Sequence, residues 1–234
     1  HSYYKFLDLD YHNDFIYHTL VFIEQFQRNN NAKALELAND GLAYFPKSLS
    51  LRKKRIELLK ATDQLDLAIK DSEEVLKKKP TDYVLWLYMG MMHEGNSNLP
   101  QAEKAYKKAL NLKANYYEAN YSLGALYFDR GVEILQELNA IEDFKEYKSK
   151  ENDMQTRANT FFKEAKPYFE KASELDPEEE TVLSTLRAIY MNLGMQNEAH
   201  RVQWKIKALR NYPIHQKRRE RSATNAKTFP FSVS

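Results

Sequence analysis

The sequence predicts an all-α chain built from antiparallel helix pairs, and three observations carry that prediction. With 6 Gly and 7 Pro among 234 residues, the chain lacks the punctuation of an all-β fold, which needs a turn every ~8–12 residues. Markers recur at one fixed interval: Pro46 and Pro80, then Ala34, Ala68 and Ala102, then Gly90 and Gly124 all step by 34. Between those markers apolar residues follow helical spacing. Trp86, Met89, Gly90 and His93 fall at i, i+3, i+4 and i+7, which is one helix face. Hydrophobic residues make up 43% and charged residues 29%, so a core can be buried. A net charge of +2 gives no pull of the whole molecule toward nucleic acid or anionic lipid. There is no Cys, which excludes disulfides, thiolate metal sites and a cysteine nucleophile. No apolar run is long enough to span a bilayer.

Taken in order, residues 1–14 read as the remnant of an upstream repeat, because Tyr3 to Asp10 looks like the closing half of a second helix. Residues 15–48 keep Ala34, Ala38, Gly41 and Pro46, and residues 49–82 keep Leu59, Ala68 and Pro80. The clearest unit is 83–116. Its first helix carries Trp86, Met89 and Gly90, a Gly95-Asn96-Ser97-Asn98 turn follows, and Ala102, Tyr106 and Ala109 share one face of the second helix. Pro100 stands where the first turn of a helix tolerates a missing N–H. The fourth unit, 117–179, supplies Leu123, Gly124 and Tyr127, then Ala165, Phe169, Ala172 and Pro177. Its length implies 29 extra residues, read as a helical hairpin insertion at about 131–159. The first helix is expected to run to about 142, the tip to be the polar stretch from Glu142 to Asn152, and Pro167 to kink the returning helix. The last unit, 180–211, carries Tyr190 and Ala199. Residues 212–234 form a basic tail, with Lys217, Arg218, Arg219, Arg221 and Lys227 against Glu220.

This pattern of a large aromatic, small residues and a closing Pro resembles the tetratricopeptide repeat (TPR) family, over about residues 15–211. The prolonged fourth unit is similar to bacterial, Bacteroidetes-type TPR proteins with an extended hairpin in the penultimate repeat. The resemblance implies a right-handed superhelical solenoid whose concave groove, lined by the first helices, holds a protein or peptide partner. The family's facing pattern puts Thr19, Ile23 and Phe26, then Lys53, Glu57 and Lys60, Leu87, Met91 and Glu94, Tyr121, Ala125 and Phe128, and Ser184, Ala188 and Met191 on that groove. A carboxylate clamp of the kind some members use is not expected, since only Lys53 and Lys54 match it. The core would hold Trp86 as its main anchor, at about 3–5 kcal/mol for truncation.

Catalysis is not expected. The six His form no metal-binding pair, and no Walker loop, nucleophile elbow or dinucleotide fingerprint is present. No cofactor or metal is implied. Nucleic acid is not the expected partner either, because the basic tail lacks interleaved aromatics. The expected role is a non-enzymatic scaffold for a partner segment. The alternatives are a self-assembling or assembly-factor protein, or a nucleic-acid adaptor acting through the tail. A periplasmic or exported setting is slightly favoured over a cytoplasmic one.

Overall fold

The computed structural model describes residues 2–211, and all regular structure among them is helical. In chain order the helices are α1 (Ser2–Asp8), α2 (Asp14–Phe22), α3 (Asn31–Tyr44), α4 (Leu49–Ala61), α5 (Leu65–Lys78), α6 (Tyr83–Gly95), α7 (Leu99–Leu112), α8 (Tyr117–Asn139), α9 (Phe144–Leu175), α10 (Glu180–Asn192) and α11 (Gln196–Asn211). A π-helical turn, Ile23–Gln27, prolongs α2. The basic tail lies outside the described residues. The chain divides into two compact units, one ending at Ser122 and one beginning at Leu123, so the boundary falls inside α8.

The first unit stacks the hairpins α2–α3, α4–α5 and α6–α7, each packed on its neighbour. Starts and stops are local chemistry. Asn30, Ser48 and Asp82 accept the backbone N–H of Lys33, Leu51 and Leu85, at 3.0, 3.3 and 3.1 Å, filling donors that a helix start leaves open. The first helices end on a left-handed residue: Asn29, Asp63 and Ser97, with φ of 51°, 59° and 57°, each 34 after the last. The N–H of the following residue then reaches back to close the turn, Gln64 to the Leu59 carbonyl and Asn98 to that of His93.

The first hairpin has one residue more than the period allows. Its cap, Asn13, precedes Ser48 by 35, while Ser48 and Asp82 are 34 apart. The surplus is absorbed by the π turn, where Asn30 N–H bonds to the Glu24 carbonyl, one residue farther back than in the other hairpins. Glu24, 2% exposed on that turn, accepts from the Tyr4 hydroxyl at 2.6 Å and from Arg28 at 2.5 Å. Tyr3, Tyr4 and Leu7 thereby lay α1 against the cluster of Ile16, Leu20, Val21, Ala34 and Leu37.

Core filling alternates by register. Val21 and Ile56 on first helices correspond to Ala38 and Ser72 on second helices. In the third hairpin Gly90 corresponds to Tyr106, and in the fourth Gly124 corresponds to Phe169. Size moves from one helix to the other while every one of these residues stays buried. A Cβ on Gly90 would overlap the Tyr106 ring.

In the second unit, α8 from Leu123 onward packs along α9, and α10 packs on both α9 and α11. Here α8 continues where earlier hairpins turn. Gly131, at the position of Ser97, lets the Phe162 ring approach so closely that a Cβ would lie 2.7 Å from it. Ile134, Leu138, Met154 and Ala158 carry the seam outward. The tip differs from the sequence expectation. α8 stops at Asn139, and α9 already begins at Phe144, because Asp143 caps it through the Glu146 N–H at 2.7 Å. The polar stretch up to Asn152 is therefore helix, not loop, and the connection is residues 140–143. α9 runs on through Pro167 as one helix.

Several phenols are held neutral. Burial, aided by the neighbouring carboxylate of Glu24, raises Tyr4 to about 12. Burial with the fields of Tyr44 and Asp40 does the same for Tyr17, and burial beside Glu118 for Tyr116, each to about 12. In the unfolded chain these groups ionise near ~10. Their contribution to stability is thus complete below pH ~10 and is lost as pH climbs through the folded value. In an absorbance titration of tyrosinate, Tyr4, Tyr17 and Tyr116 should ionise only toward pH 12, with loss of helical circular dichroism. A single reversible step at the ordinary value contradicts this account.

Candidate functional site

Within the first unit, the first helices α2, α4 and α6 bring a continuous mixed surface together. Phe22 and Phe26, 46% and 60% exposed, lie ring to ring at 5.1 Å on the last turns of α2 and the π turn. Lys54 on α4 reaches over Phe26 at 5.5 Å and also pairs with Glu57 at 2.7 Å. At the other side of α4, Lys60 sits 4.5 Å from the centroid of Tyr88 on α6. Lys53 is paired with Asp82, the residue that caps α6. Between α4 and α6 a pocket of about 130 Å³ opens, floored by Ile56, Val84 and Leu85 and flanked by Lys53, Glu57 and Tyr88. Its size suits one side chain, with apolar walls and ions of both signs at the mouth.

The residues assigned to the groove divide. Lys53 and Glu57 line this pocket, and Met91 is 41% exposed beside it in sequence. Leu87 does not belong to the surface, being only 3% exposed. Helix α6 buries Leu85, Leu87, Met89, Gly90 and Met92, which spread round most of its circumference. A first helix inside a stack is covered on several sides, and its free stripe narrows to Val84, Tyr88 and Met91. Glu94 is also corrected: it accepts a 2.5 Å hydrogen bond from the buried Tyr106 hydroxyl, so it anchors the hairpin. Tyr121 is half-buried and stacked on Tyr117 at 6.3 Å.

In the second unit Phe128 is half-buried, with Phe162 and Phe169 at 5.7 and 6.3 Å, so it closes the edge of the α8–α9 seam. Ala125 is half-buried, while Ser184 and Met191 are exposed on α10.

Of the residues assigned to the core, Gly90, Ala102, Tyr106, Ala109, Leu123, Gly124, Tyr127, Ala165, Phe169, Ala172, Tyr190 and Ala199 are buried. Trp86 is the exception. It is half-buried, its indole N–H donates to the Pro80 carbonyl at 2.9 Å, and its ring walls an open crevice of about 690 Å³ with Leu76, Met89 and His93. Burial holds the His93 imidazole below its usual range. With a face left to solvent, Trp86 cannot be the main anchor, and Tyr106 takes that place.

Sequence reasoning passed over Tyr88, although its spacing with Val84 and Met91 was the available signal. It also passed over a charged substitute for the crevice one hairpin earlier. Arg52, Arg55 and Asp71 stand 34 before Trp86, Met89 and Ala105. Asp71, 4% exposed, accepts from Arg55 twice at 2.5 Å and from Arg52 at 3.2 Å.

Among the described residues no group of three or more His, Asp or Glu is placed to hold a metal ion. No described helix is long and apolar enough to cross a membrane.

No known family's sequence model matches the chain. A peroxisomal targeting signal receptor from Candida glabrata is 24% identical over 147 residues, which is 62% of this chain and 24% of the receptor. The chain thus spans about a quarter of that relative's length. Among solved structures, the MamA protein superposes with a TM-score of 0.66 at 15% identity, covering 86% of this chain and 96% of that one. MamA from Desulfovibrio magneticus RS-1 gives 0.65 at 14%, covering 86% and 97%. YrrB, described as a TPR protein with an unusual peptide-binding site, gives 0.60 at 14%, covering 93% and 98%. The fold is that of the TPR solenoids.

Proposed function

We propose that this chain is a non-enzymatic scaffold that captures a segment of another protein on the first-helix face of its first unit. The observation that carries the reading is the run of Phe22, Phe26, Lys54, Lys60, Tyr88 and Met91 across α2, α4 and α6, with a side-chain-sized pocket at its centre. Solvated aromatics and Met beside paired ions are the composition of adaptable protein interfaces. An apolar partner residue would enter the pocket while its polar neighbours meet Lys53, Glu57 and Lys60. YrrB's peptide-binding site and the receptor's targeting-signal role support the reading as properties of those proteins.

Peptides selected against the full chain from a random library test it. Tyr88→Ala with Met91→Ala is expected to weaken the selected peptides by about thirty-fold, as for loss of an interface hot spot, with the melting curve retained. Undiminished affinity in that variant rejects the reading. Within it, we liken the chain to the Bacteroidetes-type TPR proteins, supported by the long α8–α9 hairpin. The exported or periplasmic setting is part of the same proposal and is tested by fractionating the source cell.

A further inference from the structure

Helix α11 sets an exposed aromatic among cations. Its inward side is thin, with Ala199 and Ile206 buried against the hairpin. On its outer side Trp204 is 70% exposed. Arg201, Trp204 and Lys207 follow at intervals of three and so make one stripe, flanked by His200 and Lys205, all exposed. The Lys207 ammonium lies 5.1 Å from the indole centroid. The helix holds Arg201, Lys205, Lys207 and Arg210 against Glu198 alone, four cations less one carboxylate, or +3. Arg210 is committed to Glu180. Arg201, Lys205 and Lys207 have no carboxylate partner among the described residues. Beyond Asn211 the sequence adds a further +4, from Lys217, Arg218, Arg219, Arg221 and Lys227 less Glu220.

We propose that this face binds single-stranded nucleic acid, with Trp204 stacked on a base and Arg201, Lys205 and Lys207 on the flanking phosphates. The charge selects a polyanion. The single large apolar side chain selects a base over a bilayer, because docking a helix on lipid requires a broad apolar face to bury. The neighbours of Trp204 three residues away on either side, Arg201 and Lys207, are both cationic. Stacking needs one π-face and cations beside it, which is what the stripe offers. The basic run of the tail, Lys217 to Arg221, has no aromatic among its cations, and α11 supplies one interleaved with cations earlier in the chain.

The test uses the full chain carrying Trp86→Phe, so that emission comes from Trp204 alone, titrated with a fluorescent oligothymidylate. Saturable quenching is expected, weakening as salt rises. Trp204→Ala is expected to lower affinity about five- to a hundred-fold. Arg201→Ala, Lys205→Ala and Lys207→Ala together should reduce the salt slope by about 2. Both variants should melt as the parent does, since the positions are exposed. Absence of quenching at low salt overturns the proposal. So does parental affinity in either variant, which would assign binding to the tail's charge alone. A blue-shifted Trp204 emission on phosphatidylserine vesicles without oligonucleotide binding overturns it in favour of a membrane surface.

Discussion

Truncating Tyr106 to alanine is expected to remove about 3–5 kcal/mol of stability, a large share of the ~5–15 kcal/mol that holds an ordinary domain folded. The ring is wholly buried, fills the space left by Gly90, and ties its hydroxyl to Glu94. Three losses coincide in the variant: apolar transfer, the cavity, and a hydrogen bond that joins the two helices of one hairpin. Tyr106→Phe isolates the last and should cost about 1 kcal/mol. Trp86→Ala should cost less than Tyr106→Ala, since its ring already faces the crevice. The Gly90–Tyr106 pair also predicts a rescue. Gly90→Ile alone drives a side chain into the ring and destabilises by overpacking, and Tyr106→Ser alone leaves a hole. Together they recreate the Ile56 and Ser72 arrangement of the preceding hairpin and should recover a good part of the sum. Guanidinium unfolding followed by circular dichroism measures each step. An unchanged midpoint for Tyr106→Ala, or strict additivity for the pair, refutes the packing account.

The period of the sequence exposed the hairpins because small residues at fixed places are a packing requirement. Ala34, Ala68, Ala102, Ala165 and Ala199 are all 1% exposed or less, since two helices approach closely there and only a methyl fits. The surface was less legible for the same reason that stacks are stable. Helix α6 lies among neighbours on several sides, so its sequence is apolar nearly all round and its free stripe carries no contrast. Leu87 and Met91 are alike as letters, yet one is 3% and the other 41% exposed. Glu94 reads as a rim charge until the Tyr106 hydroxyl is seen beneath it. The extra residue of the first hairpin was hidden because the following turns keep their 34-residue spacing, and only the bond from Asn30 to Glu24 reveals where it went. Trp204 was likewise passed over, because the repeat pattern marks only Ala199 on that helix.

Asp71→Ala is expected to cost about 3 kcal/mol, because removing one partner leaves the others charged and poorly hydrated. Arg52 and Arg55 are 20% and 25% exposed along their side chains, and the carboxylate between them only 6%. Arg55 also donates to Asn39 at 3.1 Å and Arg52 to the Pro46 carbonyl at 3.0 Å, so the network stitches α3, α4 and α5 together. One hairpin later the same register positions are Trp86, Met89 and Ala105, which line the crevice at the equivalent join with apolar surface. A triple exchange of Arg52→Trp, Arg55→Met and Asp71→Ala therefore removes the charges as a set and should fall within about 1 kcal/mol of the parent, on either side of it. The single variant would then be the least stable of the series, although it changes least. Denaturation midpoints by circular dichroism decide the matter. If Asp71→Ala unfolds with the parent, the three groups are too well solvated to act together. If the triple variant is less stable than the single, the charged join has a geometry that the apolar one cannot replace.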